Sequence, residues 1–276
     1  GTTLGADDGM APALAFALLK DRTAVHPNLE VLLTTDEEVG MLSVKNADLT
    51  CLQGKYMLNL DSGMEGKFTV GCAGGSLVRA VIPADRETTT QGAYKITISG
   101  LKGGHSGIEI RNGRANALKL MGRLLSKINR AGELRVSSLT AEGKDNAIQD
   151  NAECVIVTDV SFETLTETAA AFEANLKHMF RVTDPDIKIT VERGEASDAL
   201  TVKASYSLQS LLQFMPYGPL AYDQVKEGVI ETSANIGPVL TDEKGIGIFS
   251  SVRSSVAERK AAIVSKIEDL CALVGA

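Results

Sequence analysis

The sequence predicts an α/β protein of two domains, a first built on a mainly parallel sheet and a second of α+β type. Three observations predict it. Short continuous apolar runs alternate with helical patterning over residues 1–75, the carboxyl end of each run carries acids, and strand-like stretches surround two long helical patterns thereafter. Continuous apolar runs flanked by helices are the signature of parallel strands covered on both faces.

In the first domain, Asp7 and Asp8 are suited to cap an apolar helix from Met10 to Leu19. Leu29–Thr35 and Tyr56–Leu60 read as buried strands. Asp36-Glu37-Glu38 follows the first run and Asp61 the second. In open α/β sheets ligands bind at the carboxyl ends of strands, so this placement is the first sign of a site. The boundary falls near Gly71-Cys72-Ala73-Gly74-Gly75, which places the second domain at residues 76–276. There Leu77–Ile82, Tyr94–Ser99, Glu153–Val160 and Ile187–Glu192 read as strands. Arg114–Arg130 reads as a helix with Ala117, Leu118, Met121, Leu124, Leu125 and Ile128 on one stripe, and Phe162–Phe180 as another. A strand at Ile246–Val252 and a helix at Ser255–Val274 end the pattern. A sheet with helices on one face is the layer arrangement this mixture favours.

Composition narrows the function. The net charge of −7 argues against non-specific nucleic-acid binding, which needs a basic surface to displace counterions. No apolar run approaches the ~18 residues needed to cross a bilayer, and no membrane association is expected. Cys51, Cys72, Cys154 and Cys271 are scattered without a Cys-x-x-Cys pair, as fits reduced thiols in a cytoplasmic protein.

Three acidic loops carry the chemistry: Gly5-Ala6-Asp7-Asp8-Gly9, Thr34-Thr35-Asp36-Glu37-Glu38-Val39-Gly40 and Leu58-Asn59-Leu60-Asp61-Ser62-Gly63. Glycine beside each carboxylate lets the backbone turn and approach a ligand. One such loop is explained as a helix cap or a solvated turn. Three at one sheet edge would repel one another unless a cation neutralised them.

These segments, with Gly100-Leu101-Lys102-Gly103-Gly104-His105-Ser106-Gly107, Asp145-Asn146-Ala147-Ile148, Val229-Ile230-Glu231-Thr232-Ser233 and Ser251-Val252-Arg253-Ser254, resemble in order the co-catalytic zinc exopeptidases of the aminoacylase/carnosinase type. The resemblance spans essentially the whole chain. It implies a zinc-peptidase catalytic domain over residues 1–75 and a lid and dimerisation domain over 76–276. It implies two divalent metal ions, zinc with cobalt or manganese as alternatives, held by Asp7 as a bridging carboxylate, Glu38 on one ion and Asp61 on the other. Glu37 would be the general base for a metal-bridged hydroxide, since proton transfer to the leaving amine needs a carboxylate not committed to metal. His105 would donate a hydrogen bond to the oxyanion in the partner subunit's site of a homodimer. Asn146 and Arg253 would bind substrate, Arg253 by clamping a free carboxylate. The implied activity is hydrolysis of Xaa-His and other dipeptides. Tripeptidase, carboxypeptidase or N-acyl-amino-acid hydrolase activity, or a non-catalytic dimerisation module, are the alternatives. His26 and His178 match no motif.

The sequence departs from the family pattern in two places. No His-x-Asp segment precedes Asp7, and no histidine follows Arg253. Imidazole is a main zinc ligand, so the chain is expected to be a piece of a longer enzyme, binding zinc weakly and turning over little by itself.

Overall fold

Antiparallel pairing accounts for every strand among the residues that the computed structural model describes, which are 7–37, 40–61, 65–242 and 244–276. The chain divides into two units, Gly1–Gly71 and Cys72–Ala276.

The first unit carries α1 (Met10–Lys20) and α2 (Leu42–Asn46). Asp8 Oδ1 accepts the Ala11 N–H at 3.1 Å at the start of α1, as its position before the helix leads one to expect. The parallel sheet is not formed among the described residues: 29–35 and 56–60 lie outside any strand. A parallel strand draws its backbone hydrogen bonds from neighbours on either side and its burial from covering helices. Neither is supplied here. Leu33 is 55% exposed and Tyr56 93%. The carboxylate of Glu30 takes the N–H groups of Gln53 and Gly54 instead.

The second unit runs β1 (Gly74–Pro83), β2 (Arg86–Thr88), β3 (Ala93–Ser99), β4 (Gly104–His105), α3 (Ala117–Ile128), β5 (Leu134–Thr140), β6 (Ala147–Ile148), β7 (Ala152–Thr158), α4 (Phe162–Met179), β8 (Lys188–Gly194), β9 (Asp198–Leu200), α5 (Val202–Phe214), β10 (Gly218–Tyr222), β11 (Ile230–Asp242), β12 (Gly245–Ser254) and α6 (Ala257–Val274). Its main sheets are four-stranded, ordered β1-β12-β11-β10 and β5-β7-β3-β8, with small ribbons β2-β9 and β4-β6 beside them.

The buried face of α3 is the stripe read from the sequence: Ala117, Leu118, Met121, Leu124, Leu125 and Ile128 are all inaccessible. Asn116 sets its start. Its Oδ1 accepts the N–H groups of Leu118 and Lys119, while its Nδ2 donates to Ile236 O on β11 at 2.8 Å. Gly122 lets α3 lie close to α5, since a methyl group there would sit 2.6 Å from Leu212 Cβ. Lys119 spans the same contact. Its Nζ donates to Gln213 O and Met215 O at the end of α5, where carbonyls lack helical donors. Ser161 and Thr201 cap α4 and α5 in the same manner as Asn116 caps α3. One continuous apolar core joins the main sheets to α3, α4, α5 and α6. Among the described residues no helix is long and apolar enough to cross a membrane.

Candidate functional site

The loop between β3 and α3 is built around His105. Its two ends are held by one buried carboxylate: Asp184, 0% exposed, accepts the Lys102 N–H on Oδ1 at 2.9 Å and the Ala115 N–H on Oδ2 at 2.8 Å. Between these points β4 pairs with β6, Gly104 opposite Ile148 and His105 opposite Ala147. The Ser106 N–H extends the ribbon by donating to Asn146 O at 2.7 Å. Asn146 is thereby placed one hydrogen bond from the residue after His105.

The ribbon is anchored on β11. Asn235 Nδ2 donates to Ala147 O at 2.8 Å. A register shift between Ile236 and Val239 in the β11–β12 pairing makes room for residues 141–147. Ala141 bridges to Val239 there, and a methyl on Gly237 would come within 3.2 Å of Asp145 O. Opposite Asn235 on β12 is Ser251, and opposite Ser233 is Arg253. Cross-strand partners share a face, so Ser251 and Arg253 lie on the face that Asn235 presents to the ribbon.

His105 and Arg253 flank one small gap. A methyl group on Gly107 would sit 2.9 Å from His105 Cε1 and 3.5 Å from Arg253 Cζ. Only glycine leaves that space open. Ser106 Oγ in the loop and Ser251 Oγ and Arg253 Nε on β12 are buried without a hydrogen-bond partner among the described residues. Buried polar atoms are normally paired, so these three stand out as exceptions. Ser106 stood in the sequence within Gly-Gly-His-Ser-Gly but drew no role. Ser251 likewise stood within Ser251-Val252-Arg253-Ser254 without a role, and Asn235 gave no signal, because strand register alone pairs it with Ser251.

The imidazole is oriented. His105 Nδ1 accepts the Gly107 N–H at 3.1 Å. A nitrogen that accepts carries no proton, so the neutral ring bears its proton on Nε2 and can donate from it.

The acidic residues belong to the other unit. Asp7, Glu37 and Asp61 are exposed. The Glu37 carbonyl accepts the N–H groups of Gly40 and Met41, and the Asp61 N–H donates to Asn59 Oδ1 at 2.9 Å. Glu38 lies outside the described residues. Among the described residues no group of three or more His, Cys, Asp or Glu side chains comes together to hold a metal ion. The structure brings together His105, Asn146 and Arg253.

Comparison with known proteins follows the same division. Residues 96–184, which include the end of β3, the His105 loop, α3 and α4, match the family model of a peptidase dimerisation domain. Over 281 aligned residues the chain is 35% identical to the cytosol non-specific dipeptidase of Escherichia coli strain K12, covering 100% of this chain and 58% of that protein. In sequence, the chain is similar to part of a dipeptidase. The aminoacylhistidine dipeptidase from Vibrio alginolyticus superposes with a TM-score of 0.81 at 31% identity, over 100% of this chain and 57% of that structure. The chain thus spans somewhat more than half the length of these dipeptidase relatives.

Proposed function

We propose that this chain is part of a cytoplasmic, metal-dependent dipeptidase that hydrolyses Xaa-His and other dipeptides as a homodimer. The observation that carries this reading is identity to a cytosol non-specific dipeptidase over all of the chain, with the acidic loops and the His105 loop in order. Asp7, Glu38 and Asp61 would hold two divalent ions, zinc first among them, with histidines contributed by the rest of the parent protein. Hard carboxylates and imidazoles suit such ions. When bound, the ions would supply Lewis acidity and an activated water. Glu37 takes the proton from the attacking water and delivers it to the leaving amine.

Residues 72–276 act as lid and dimerisation domain. His105 donates from Nε2 to the developing oxyanion in the partner subunit's site, and Arg253 receives the substrate carboxylate. The open edge of β8 supports pairing between lids. The Ile189 N–H points away from β3 to Glu173 Oε2, and by the alternation of a strand Val191 and Arg193 present theirs on that same outer edge. Such an edge pairs readily with its own copy about a two-fold axis.

The test is Glu37→Ala in the full-length parent. Metal content stays at the wild-type value while kcat falls by roughly 10²–10⁴, the usual contribution of a general acid/base. Loss of metal in parallel with activity would assign Glu37 to the metal and Glu38 to the proton.

A further inference from the structure

His105 is exposed, yet its backbone is held on both sides by one residue. Its N–H donates to Glu109 Oε2 at 2.9 Å, and its carbonyl accepts the Glu109 N–H at 2.8 Å. The five-residue turn from His105 to Glu109 is closed by these two bonds. Inside it, the Gly107 N–H is carried to His105 Nδ1.

Glu109 is itself locked. Its Oε1 is 2.7 Å from Arg114 Nη2, and Arg114 Nη1 donates to Gly103 O at 2.5 Å. The Arg114 carbonyl accepts from the Tyr217 hydroxyl at 2.7 Å, tying the pair to the segment before β10. Gly104, at φ +124°, lies directly against the ion pair. A methyl there would sit 2.2 Å from Glu109 Oε2 and 2.4 Å from Arg114 Nη1. Any other residue at 104 would push the carboxylate off the His105 N–H. Gly104 thus makes room for Glu109, and the glycine after Ser106 makes room for the imidazole.

We propose that Glu109, locked by Arg114, is the positioning residue that fixes the tautomer and orientation of His105 by closing the turn that presents the Gly107 N–H to Nδ1. An imidazole outside such a turn exchanges between two tautomers, and only the Nε2–H form offers a donor from the outward nitrogen. The inference rests on His105 as the oxyanion donor for its catalytic meaning; the tautomer assignment itself stands on geometry. The carboxyl of Glu109 is held below the usual range chiefly by the His105 N–H, so the clasp is charged at neutral pH.

The test is ¹⁵N NMR of the histidine-labelled chain at neutral to mildly alkaline pH, with His105 assigned through His26→Gln and His178→Gln. Wild-type His105 is expected to show an unprotonated Nδ1 and a protonated Nε2. Glu109→Ala mixes the two tautomers, drawing the two ring shifts together, and raises hydrogen exchange at Gly107 by about tenfold, the scale of one lost hydrogen bond. Glu109→Gln keeps an oxygen for the His105 N–H and retains most of the Nε2–H form. A folded Glu109→Ala chain with the wild-type tautomer overturns the proposal. Should that variant fail to fold, Arg114→Gln removes the lock alone, and an unchanged tautomer there overturns it equally. Kinetics of the full-length parent separate the two ideas. If His105→Ala leaves kcat unchanged, the donor role fails whatever the NMR shows. If His105→Ala lowers kcat but Glu109→Ala leaves both kcat and the tautomer unchanged, only the positioning role fails.

Discussion

Replacing Asp184 tests how the His105 loop is held. Its two carboxylate oxygens reach the N–H groups of Lys102 and Ala115, which bracket the whole loop. Hydrogen bonds to a charged partner contribute about 1.5–3 kcal/mol each when the freed group stays dry. Ala115 is 2% exposed, so its N–H would be stranded at that full cost. Lys102 is exposed, and water can replace much of its bond. Asp184→Ala should therefore destabilise the second unit by roughly 3–4 kcal/mol, the Ala115 N–H carrying most of it. Asp184→Asn keeps one acceptor oxygen but turns an amide NH₂ toward the other donor, which leaves a loss of roughly half that size. Equilibrium urea unfolding followed by far-UV circular dichroism measures the difference. With m values of about 1–3 kcal/mol/M, the Asp184→Ala midpoint should fall by at least about 1 M at constant m. A loss below about 0.5 kcal/mol for Asp184→Ala, or Asn costing more than Ala, would refute the clip.

Other predictions follow from the same packing. Gly122→Ala gains helix propensity of about 1 kcal/mol but pushes a methyl into Leu212 on α5, so a net loss of about 1–2 kcal/mol in thermal or urea unfolding is expected. Asn116→Ala removes the cap of α3 and strands the Ile236 carbonyl, costing about 2–3 kcal/mol by the same assay. Acid loosens the His105 turn. Glu109 has a lowered folded-state pKa, held down first by the His105 N–H, so its contribution is complete above the ordinary value of 4.5 and is lost as pH falls through the lowered value. Hydrogen exchange at His105, corrected for intrinsic rates, should be constant from pH 7 to pH 5 and accelerate only below the ordinary value. Acceleration between pH 7 and pH 5 would assign the loosening to another group.

Periodicity was informative where a segment's own side chains set its environment. The apolar stripe of α3 is a local feature, and α1, α3, α4, α6, β1, β3, β7, β8 and β12 lie where the sequence patterns put them. It was uninformative where polar side chains are buried by distant partners. The helix α5 hides its period because Ser205, Ser207, Gln209 and Ser210 are buried. Ser205 Oγ accepts the Val136 N–H, and Ser207 Oγ donates to Val274 O. Along β11, Glu231, Thr232, Ser233 and Asn235 are likewise buried polar residues that no alternation rule marks as strand. The apolar runs at 29–35 and 56–60 show the reverse case. A run can have strand composition and still stand outside any strand where no neighbour pairs with it. At the candidate site, motif order pointed to His105, Asn146 and Arg253. The supports Glu109, Arg114 and Asp184 came only from three-dimensional contact, because a clasp or a clip has no periodic signature.

Subunit mixing in the full-length parent tests the central claim most directly. A Glu37→Ala subunit and a His105→Ala subunit, each expected to be inactive alone, are exchanged and assayed for the proposed metal-dependent dipeptide hydrolysis. If His105 serves the partner's site, the mixed dimer holds one site with both defects and one with neither. Activity per mixed dimer should then return to about half of the wild-type dimer, the share of one intact site in two. No recovery after verified subunit exchange would contradict the account and place His105 in its own chain's chemistry or outside it.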